Sequence, residues 1–455
     1  MNFFGKKAFR PVLVLCVLLL LGLGSANSSL QKAGKRNDRS GFRADRVLRV
    51  ERPGRSAKSR LATDRILVKF RPGVSAGSAE GILQYHALGK IRRIAGTGVY
   101  RVQIPPNVTV REMLTVLRQN PEVEYAGPDY RTRLFTVPND TYFSAYQYNL
   151  SNRGGILNIS PDTQPQMTAG ADIKATPAWD VTKGDAGTII AVVDTGVDMS
   201  HAELKNKVVS TGYDFINGDS DATDDNSHGT WVAGIAAAET NNNEGIAGVA
   251  WNCKILPVKV MDADGNGYYD QLIEGIIWAA DNGAKVINIS AGGDADDPAL
   301  KEACKYAYDK NVVVVAAAGN DGTSVSYPAA YDDYVLAVAA TDYNDAWASF
   351  SSPGSQVDVA APGVWILGPA PQWYVGPDNL PYVFGSGTSG SSPQVAGLAA
   401  LLISHKPWLT PNQVMNIIRY TADDVNKAQY PGKDDHLGYG RINMGRALVA
   451  YKLTR

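Results

Sequence analysis

Five short runs of β-branched and small apolar residues, at 188–193, 254–260, 285–290, 312–317 and 334–339, are separated by longer stretches, and few folds accept that alternation. Residues 272–282 and 299–310 carry helix-like patterns between the runs. Strands that are apolar along their whole length must be covered on both faces. The pattern therefore predicts an α/β fold, a mainly parallel sheet with helices on both faces. Residues 411–419 and 443–451 read as terminal helices, and the chain from 136 to 455 is long enough for one large domain.

Three positions in this frame carry chemistry. Asp194 closes the first run, so it belongs at the carboxyl end of a parallel strand, where α/β folds place their sites and where a carboxylate can orient a histidine. His228 opens the apolar helix-like stretch 231–236, and the small Gly229 and Thr230 beside it let another segment approach the imidazole. Ser389 precedes a small-residue helix at 391–401, whose free N–H groups and amino-terminal dipole favour a developing oxyanion. Taken singly, these are a turn aspartate, a structural histidine and a helix-entry turn. Their joint order of Asp, His, Ser is that of one nucleophilic triad, and chymotrypsin and α/β-hydrolase scaffolds use other orders.

The segments Asp194-Thr195-Gly196, His228-Gly229-Thr230 and Gly387-Thr388-Ser389 resemble those of the subtilisin-like serine proteases, most of all the thermitase-like branch, over roughly residue 136 to the C-terminus. The family's serine motif reads Gly-Thr-Ser-Met-Ala-x-Pro-His-Val-Ala-Gly; here Gly390, Ser391 and Gln394 replace Met, Ala and His. The resemblance implies a serine endopeptidase with Asp194, His228 and Ser389 as its triad. It also implies an oxyanion site made by the Asn320 amide, in Ala318-Gly319-Asn320, with the Ser389 N–H. Substrate main chain is expected to pair with Ser290-Ala291-Gly292 and with Gly265-Asn266-Gly267. Tyr269 would wall the P4 pocket, Gly319 would keep S1 open, and Asp321 would attract a basic P1 residue in second place.

Structural calcium is the expected cofactor. Asp262-Ala263-Asp264-Gly265-Asn266-Gly267 imitates the start of an EF-hand, but position twelve is Ile273 where that loop needs a bidentate Glu, so no EF-hand is expected there. Two other oxygen-rich sets resemble thermitase-like calcium sites. One is Asp214, Asp219, Asp221 and Thr223. The other joins Asp140, Glu203 and the Asn242 side chain to the carbonyls of Glu239, Glu244 and Ile246, with Glu203 standing where relatives have Asp. Solvated acidic loops are the alternative for each.

The first 135 residues describe delivery. Residues 1–26, with Lys6, Lys7 and Arg10 before an apolar run and Gly24-Ser25-Ala26, predict a secretory signal, the run being short for a membrane anchor. Residues 27–63 read as a disordered basic linker. Residues 64–135 resemble the inhibitory propeptide, with strands at 64–70, 98–104 and 123–126 and helices at 75–88 and 109–119, a small split β-α-β, ferredoxin-like domain. The expected junction is Phe135–Thr136, which implies an aromatic P1 residue and a mature enzyme at 136–455. The expected partners are protein or peptide substrates and the enzyme's own propeptide. A monomer in the extracellular space is expected, with no stable membrane anchor, and nothing in a formal charge of −1 suggests nucleic acid. Cys253 and Cys304 could pair or stay buried, and Asn288, although in a sequon, lies in a core strand. A processing protease for particular secreted proteins and a non-catalytic relative are the rival readings.

Overall fold

A computed structural model describes residues 61–130, 136–209, 212–374 and 380–450. The expected signal segment, most of the basic linker and residues 131–135 before the junction lie outside them. Two compact units are separated, one of them Glu51–Leu134 and the other containing Phe135–Arg455.

The smaller unit runs β1 (Leu61–Phe70), α1 (Ala76–Tyr85), β2 (Gly89–Ile94), β3 (Val99–Gln103), α2 (Val110–Arg118) and β4 (Val123–Tyr130), with sheet order β2-β3-β1-β4. Ser75 caps α1 by accepting from the Ser78 N–H at 3.1 Å, and Thr109 with Glu112 forms a reciprocal capping box on α2. Ile66 and Val68 of β1, Tyr100 and Val102 of β3 and Met113, Leu114 and Leu117 of α2 form its core. This is the ferredoxin-like split β-α-β expected from the sequence, with one more strand. The pattern conceals β2 because five of its six residues are exposed and give no alternation; pairing with β3, Arg92 opposite Arg101 and Ile94 opposite Val99, makes it a strand.

The larger unit begins with short elements, α3 (Phe143–Tyr146), β5 (Gly155–Ile156), β6 (Gln166–Met167) and α4 (Ala175–Trp179), and then builds the expected sheet. Its further elements are β7 (Ile189–Asp194), β8 (Tyr213–Asp214), α5 (His228–Ala237), β9 (Lys254–Lys259), α6 (Tyr269–Asp281), β10 (Val286–Ile289), α7 (Pro298–Asp309), β11 (Val313–Ala317), β12 (Val335–Thr341), β13 (Val357–Pro362), β14 (Ile366–Pro369), β15 (Tyr382–Gly385), α8 (Thr388–His405), α9 (Pro411–Thr421) and α10 (Met444–Val449). Seven strands lie in the order β13-β12-β11-β10-β7-β9-β8, every pair parallel. The chain leaves β7 for one side of the sheet and returns at β10 on the other, so the β7–β10 boundary is a switch point, and its carboxyl end is where such sheets hold ligands.

The strand β13 was not expected, because Asp358 interrupts its apolar run; the structure buries that carboxylate against the Arg419 guanidinium at 2.6 Å. Cys253 and Cys304 are both free and lie in separate hydrophobic clusters, where burial pushes the Cys304 thiol up to about 12. Asn288 is fully buried and bonded to Ser290 and Ser392. Among the described residues no helix is long and apolar enough to cross a membrane.

Candidate active site

At the carboxyl end of β7 the Asp194 carboxylate is fully buried. Its Oδ1 accepts the Thr195 N–H at 2.8 Å and pairs with His228 Nδ1 at 2.8 Å. The approach that the glycines permit is literal: a Cβ at 229 would lie 2.1 Å from the Gly196 carbonyl oxygen. Burial of the imidazole favours its neutral form, but the Asp194 charge and hydrogen bond, with Asp224 adding to them, outweigh it and raise the His228 pKa above the usual value.

Asp224 and Lys259 hold this pair, and the sequence reading passed over both. The Asp224 carboxylate accepts from Thr195 Oγ1 (2.8 Å), the N–H groups of Asn226, Ser227 and Thr230 (3.0, 3.0 and 2.9 Å) and Thr230 Oγ1 (2.5 Å). It thereby satisfies the open end of α5 and holds Ser227 at φ +101°, a strained value for a non-glycine residue, directly before His228. Lys259, opposite Asp194 in the sheet register and 1 % exposed, donates to the carbonyls of Thr195 and Met261 at 2.8 Å each and to Asp225 at 2.5 Å. A lysine ending an otherwise apolar buried strand was the available signal.

Ser389 lies in the first turn of α8, nearly buried, and its Oγ donates to the Ser290 carbonyl at 3.0 Å. Ser290 Oγ returns a bond to the Ser389 carbonyl at 3.2 Å. Asn320 follows β11, and its Oδ1 accepts from the N–H and Oγ1 of Thr388 at 2.8 and 2.9 Å. Thr388 thus fixes the carboxamide and leaves the Nδ2 end for another acceptor. The glycine at 319 is required, since it has φ +114° and a Cβ would meet Ser326 Oγ at 2.7 Å.

The two peptide-pairing segments differ from each other. Ser290, Ala291 and Gly292 continue from β10, and Gly293 pairs with Tyr327 in both directions, at 2.9 and 2.8 Å. The other is largely a turn: Asp262 Oδ1 accepts from Asp264 and Asn266, and Asn266 also gives its carbonyl to the Asp262 N–H. The N–H groups of Gly265 and Asn266 are therefore both engaged inside the turn. Tyr269 packs on Gly293 and donates to the Ala295 carbonyl at 2.9 Å, so it stands between the two segments. Asp321 accepts from Ser352 Oγ at 2.6 Å and the Thr323 N–H at 3.0 Å; desolvation pushes its pKa up, but these bonds outweigh that and hold it below the usual carboxylate value.

Residues 185–440 match the profile of the subtilase family. The chain belongs to that family. Residues 51–129 match the fervidolysin N-terminal prodomain, so this subtilase carries a prodomain ahead of its serine protease domain. A thermophilic serine proteinase of Bacillus sp. (strain AK1) is 45% identical over 75% of this chain and 76% of its own. Thermitase of Thermoactinomyces vulgaris is 43% identical over 69% of this chain and 99% of its own. Among solved structures, a protease of Pseudoalteromonas arctica PAMC 21717 superposes with a TM-score of 0.58 at 31% identity, covering 69% of this chain and 99% of that one.

The departures from the subtilase serine motif have packing reasons. Gly390 stands where the family has Met because the indole of Trp231 fills that volume: a Cβ at 390 would lie 2.7 Å from Cη2, and Gly368 and Gly385 line the same ring. The indole N–H donates to the Ile366 carbonyl at 3.1 Å, and the ring centre lies 6.0 Å from that of His228. Gly390→Met is expected to destabilise the protein by about 1–3 kcal/mol through overpacking, read by denaturant unfolding of the inactivated enzyme. Gln394 donates to the carbonyls of Pro362 and Gly390 at 2.6 and 2.7 Å.

One of the two oxygen-rich sets joins segments far apart in the chain. Asp140 accepts the Asn241 N–H on both oxygens at 2.9 and 2.8 Å. Fully buried Glu203 uses Oε1 for the Ile246 N–H at 3.0 Å and the Tyr382 hydroxyl at 2.8 Å, while its buried Oε2 has no hydrogen-bond partner among the described residues. Burial, with Asp140 and Glu244 facing it, pushes the Glu203 carboxyl up to about 7. An orphaned buried oxygen among facing carboxylates and loop carbonyls suits a hard cation. Among the described residues no three His, Cys, Asp or Glu side chains gather as a metal group, so such a cation would depend on the Asn242 side chain and the carbonyls of Glu239, Glu244 and Ile246. The other set closes on itself through hydrogen bonds within its own loop. Asp214 spends its carboxylate on Ile216 N–H and the backbone and side-chain amides of Asn217, Asp219 accepts from Asp221, and Asp221 from Thr223.

Proposed function

We infer that this subtilase is a secreted endopeptidase, made as a zymogen and matured by its own cleavage between Phe135 and Thr136, that cuts after large apolar or aromatic residues. The observation that carries the catalytic part is the 2.8 Å Asp194–His228 pair, held on a buried strand beside Ser389 at the start of α8. An incoming main-chain N–H that takes the Ser290 carbonyl frees the Ser389 hydroxyl, which turns toward His228. Oγ attacks the scissile carbonyl as the imidazole takes its proton, and Asp194 stabilises the imidazolium. The oxyanion meets the Ser389 N–H and Asn320 Nδ2. His228 returns the proton to the leaving amine, then activates a water that hydrolyses the acyl-enzyme.

Peptide main chain pairs with Ser290, Ala291 and Gly292 on one side and with the Gly265-Asn266-Gly267 segment on the other. Ala291 and Gly319 leave the P1 pocket open, and Tyr269 lies toward P4. The small unit inhibits the enzyme until it is cut away, and residues 1–26 direct export. Hydrolysis of a peptide library before and after a serine-directed inactivator tests the reading. Cleavage after Phe, Tyr, Leu and Met is expected, and a strict preference for Lys or Arg at P1 would overturn the subsite assignment while leaving the triad intact.

Calcium would be held by Asp140, Glu203, Asn242 and the loop carbonyls of Glu239, Glu244 and Ile246, and would neutralise the facing carboxylates. A carboxyl whose folded pKa is raised to about 7 holds its proton more tightly folded than unfolded, so between its ordinary value of 4.5 and 7 the metal-free protein loses stability as pH rises. Added calcium is expected to reverse that loss, and chelation at pH 8 to lower the melting temperature of the inactivated enzyme. An unchanged melting temperature in chelator removes the site.

A further inference from the structure

A single hydrogen bond at one edge does not fix an imidazole. Asp194 Oδ1 holds His228 Nδ1 at 2.8 Å, while 28 % of the histidine side chain stays open to solvent, so the ring can swing about that bond unless a neighbour covers it. Trp231 stands three residues further along α5, on the same face of the helix. Its ring centre lies 6.0 Å from that of the imidazole, and the two planes are tilted by 46°.

The indole itself is fixed. It is 6 % exposed, and its N–H donates to the Ile366 carbonyl of β14 at 3.1 Å. Glycines meet it on separate segments: a Cβ at 368 would lie 2.3 Å from Cδ1, one at 385 would lie 2.7 Å from Cζ2, and one at 390 would lie 2.7 Å from Cη2. A larger residue at any of these points would push the ring from its seat. Gly390 follows Ser389 in the first turn of α8, where alanine would be the better helix former, and the space it leaves for the ring accounts for it. The indole thus packs beside the base on one side and against the backbone that carries the nucleophile on the other.

We propose that Trp231 is a positioning residue for the general base: wedged between His228 and the first turn of α8, it fixes the imidazole plane and the spacing from Nε2 to Ser389 Oγ. The proposal rests on the triad reading given above. Trp231 itself meets no reacting atom. It acts through His228, which needs the same aim twice, to take the Ser389 proton and to return a proton to the leaving amine. A displacement of about 1 Å at such a group costs roughly a hundred-fold in rate.

The test compares the mature wild-type enzyme with Trp231→Phe, which keeps a flat ring beside the imidazole, and Trp231→Ala, which does not. One peptide substrate is used, and active enzyme is counted by a serine-directed inactivator. Trp231→Ala is expected to lower kcat about a hundred-fold with KM within about two-fold, and Trp231→Phe to stay within about five-fold of wild type in both. The pH profile should move as well. Burial lowers the His228 pKa, but Asp194 and Asp224 outweigh it, so an imidazole released from that site returns towards its ordinary value. The limb of kcat is therefore expected at lower pH in Trp231→Ala but not in Trp231→Phe. A raised KM with kcat kept would make the indole a substrate contact and overturn the proposal, as would a fall in kcat that Phe does not repair or that leaves the limb in place. Should Trp231→Ala not accumulate, Trp231→Leu takes its place: apolar bulk without a flat ring is expected to lose about ten-fold in kcat against Trp231→Phe, and equal rates in the two overturn the proposal. A wild-type enzyme that hydrolyses no peptide, or that survives the inactivator, defeats the triad reading; an active wild type with an unimpaired Trp231→Ala defeats only the role of Trp231.

Discussion

Ser389→Ala is expected to accumulate as a folded precursor with an intact Phe135–Thr136 bond, and to hydrolyse peptides about a million-fold more slowly than the mature enzyme. The same hydroxyl serves the first cut and every later one, so a single oxygen removed should abolish both. Stability should change by about 0.5–1.5 kcal/mol at most, because the substitution removes one neutral hydrogen bond, from Ser389 Oγ to the Ser290 carbonyl. Intact mass and turnover, measured after expression in a host that lacks other proteases, check this. Maturation of the variant in that host would falsify either the nucleophile or the self-processing.

Asp194→Asn is expected to lower kcat about ten-thousand-fold while leaving KM nearly unchanged. Its fully buried carboxylate gives one oxygen to both the Thr195 N–H and His228 Nδ1. An amide there can present its NH2 to Nδ1 and stabilise the wrong tautomer, in which Nε2 carries the proton and cannot act as base. The pH profile distinguishes this from simple loss of structure. In the parent, Asp194 raises the His228 pKa, so activity should rise with pH as the imidazole loses its proton above the usual value. Without the carboxylate the limb should move to lower pH, since burial then disfavours the charged ring without opposition. A limb that stays in place would remove Asp194 from that role.

Much of this architecture was legible in the chain. The runs that became β7, β9, β10, β11 and β12 are apolar on both faces because the parallel sheet is covered on both faces, and burial is what composition records most faithfully. Features set by partners outside the element itself were not legible. The β2 strand needs β3 to exist, Asp358 in β13 needs Arg419 to be buried, and the hairpin of β14 and β15 packs its glycines on Trp231.

The division is clear within the site itself. Asp194, His228, Ser389 and Asn320 could be named from the sequence because each sits at a recognisable junction, the end of a strand or the start of a helix, where backbone geometry dictates residue type. Three-dimensional structure decided which groups hold them: Asp224 across the end of α5, Lys259 joining Thr195, Asp225 and Met261, and Thr388 turning the Asn320 amide. It also separated two acidic loops that look alike in composition, one spending Asp214 on its own turn and the other leaving Glu203 Oε2 buried without a partner. A side chain's chemical type is written locally. What that side chain can reach depends on how strands and loops far apart in sequence meet, because hydrogen bonds and charges act over a few ångströms and the sequence specifies those distances only through the whole fold.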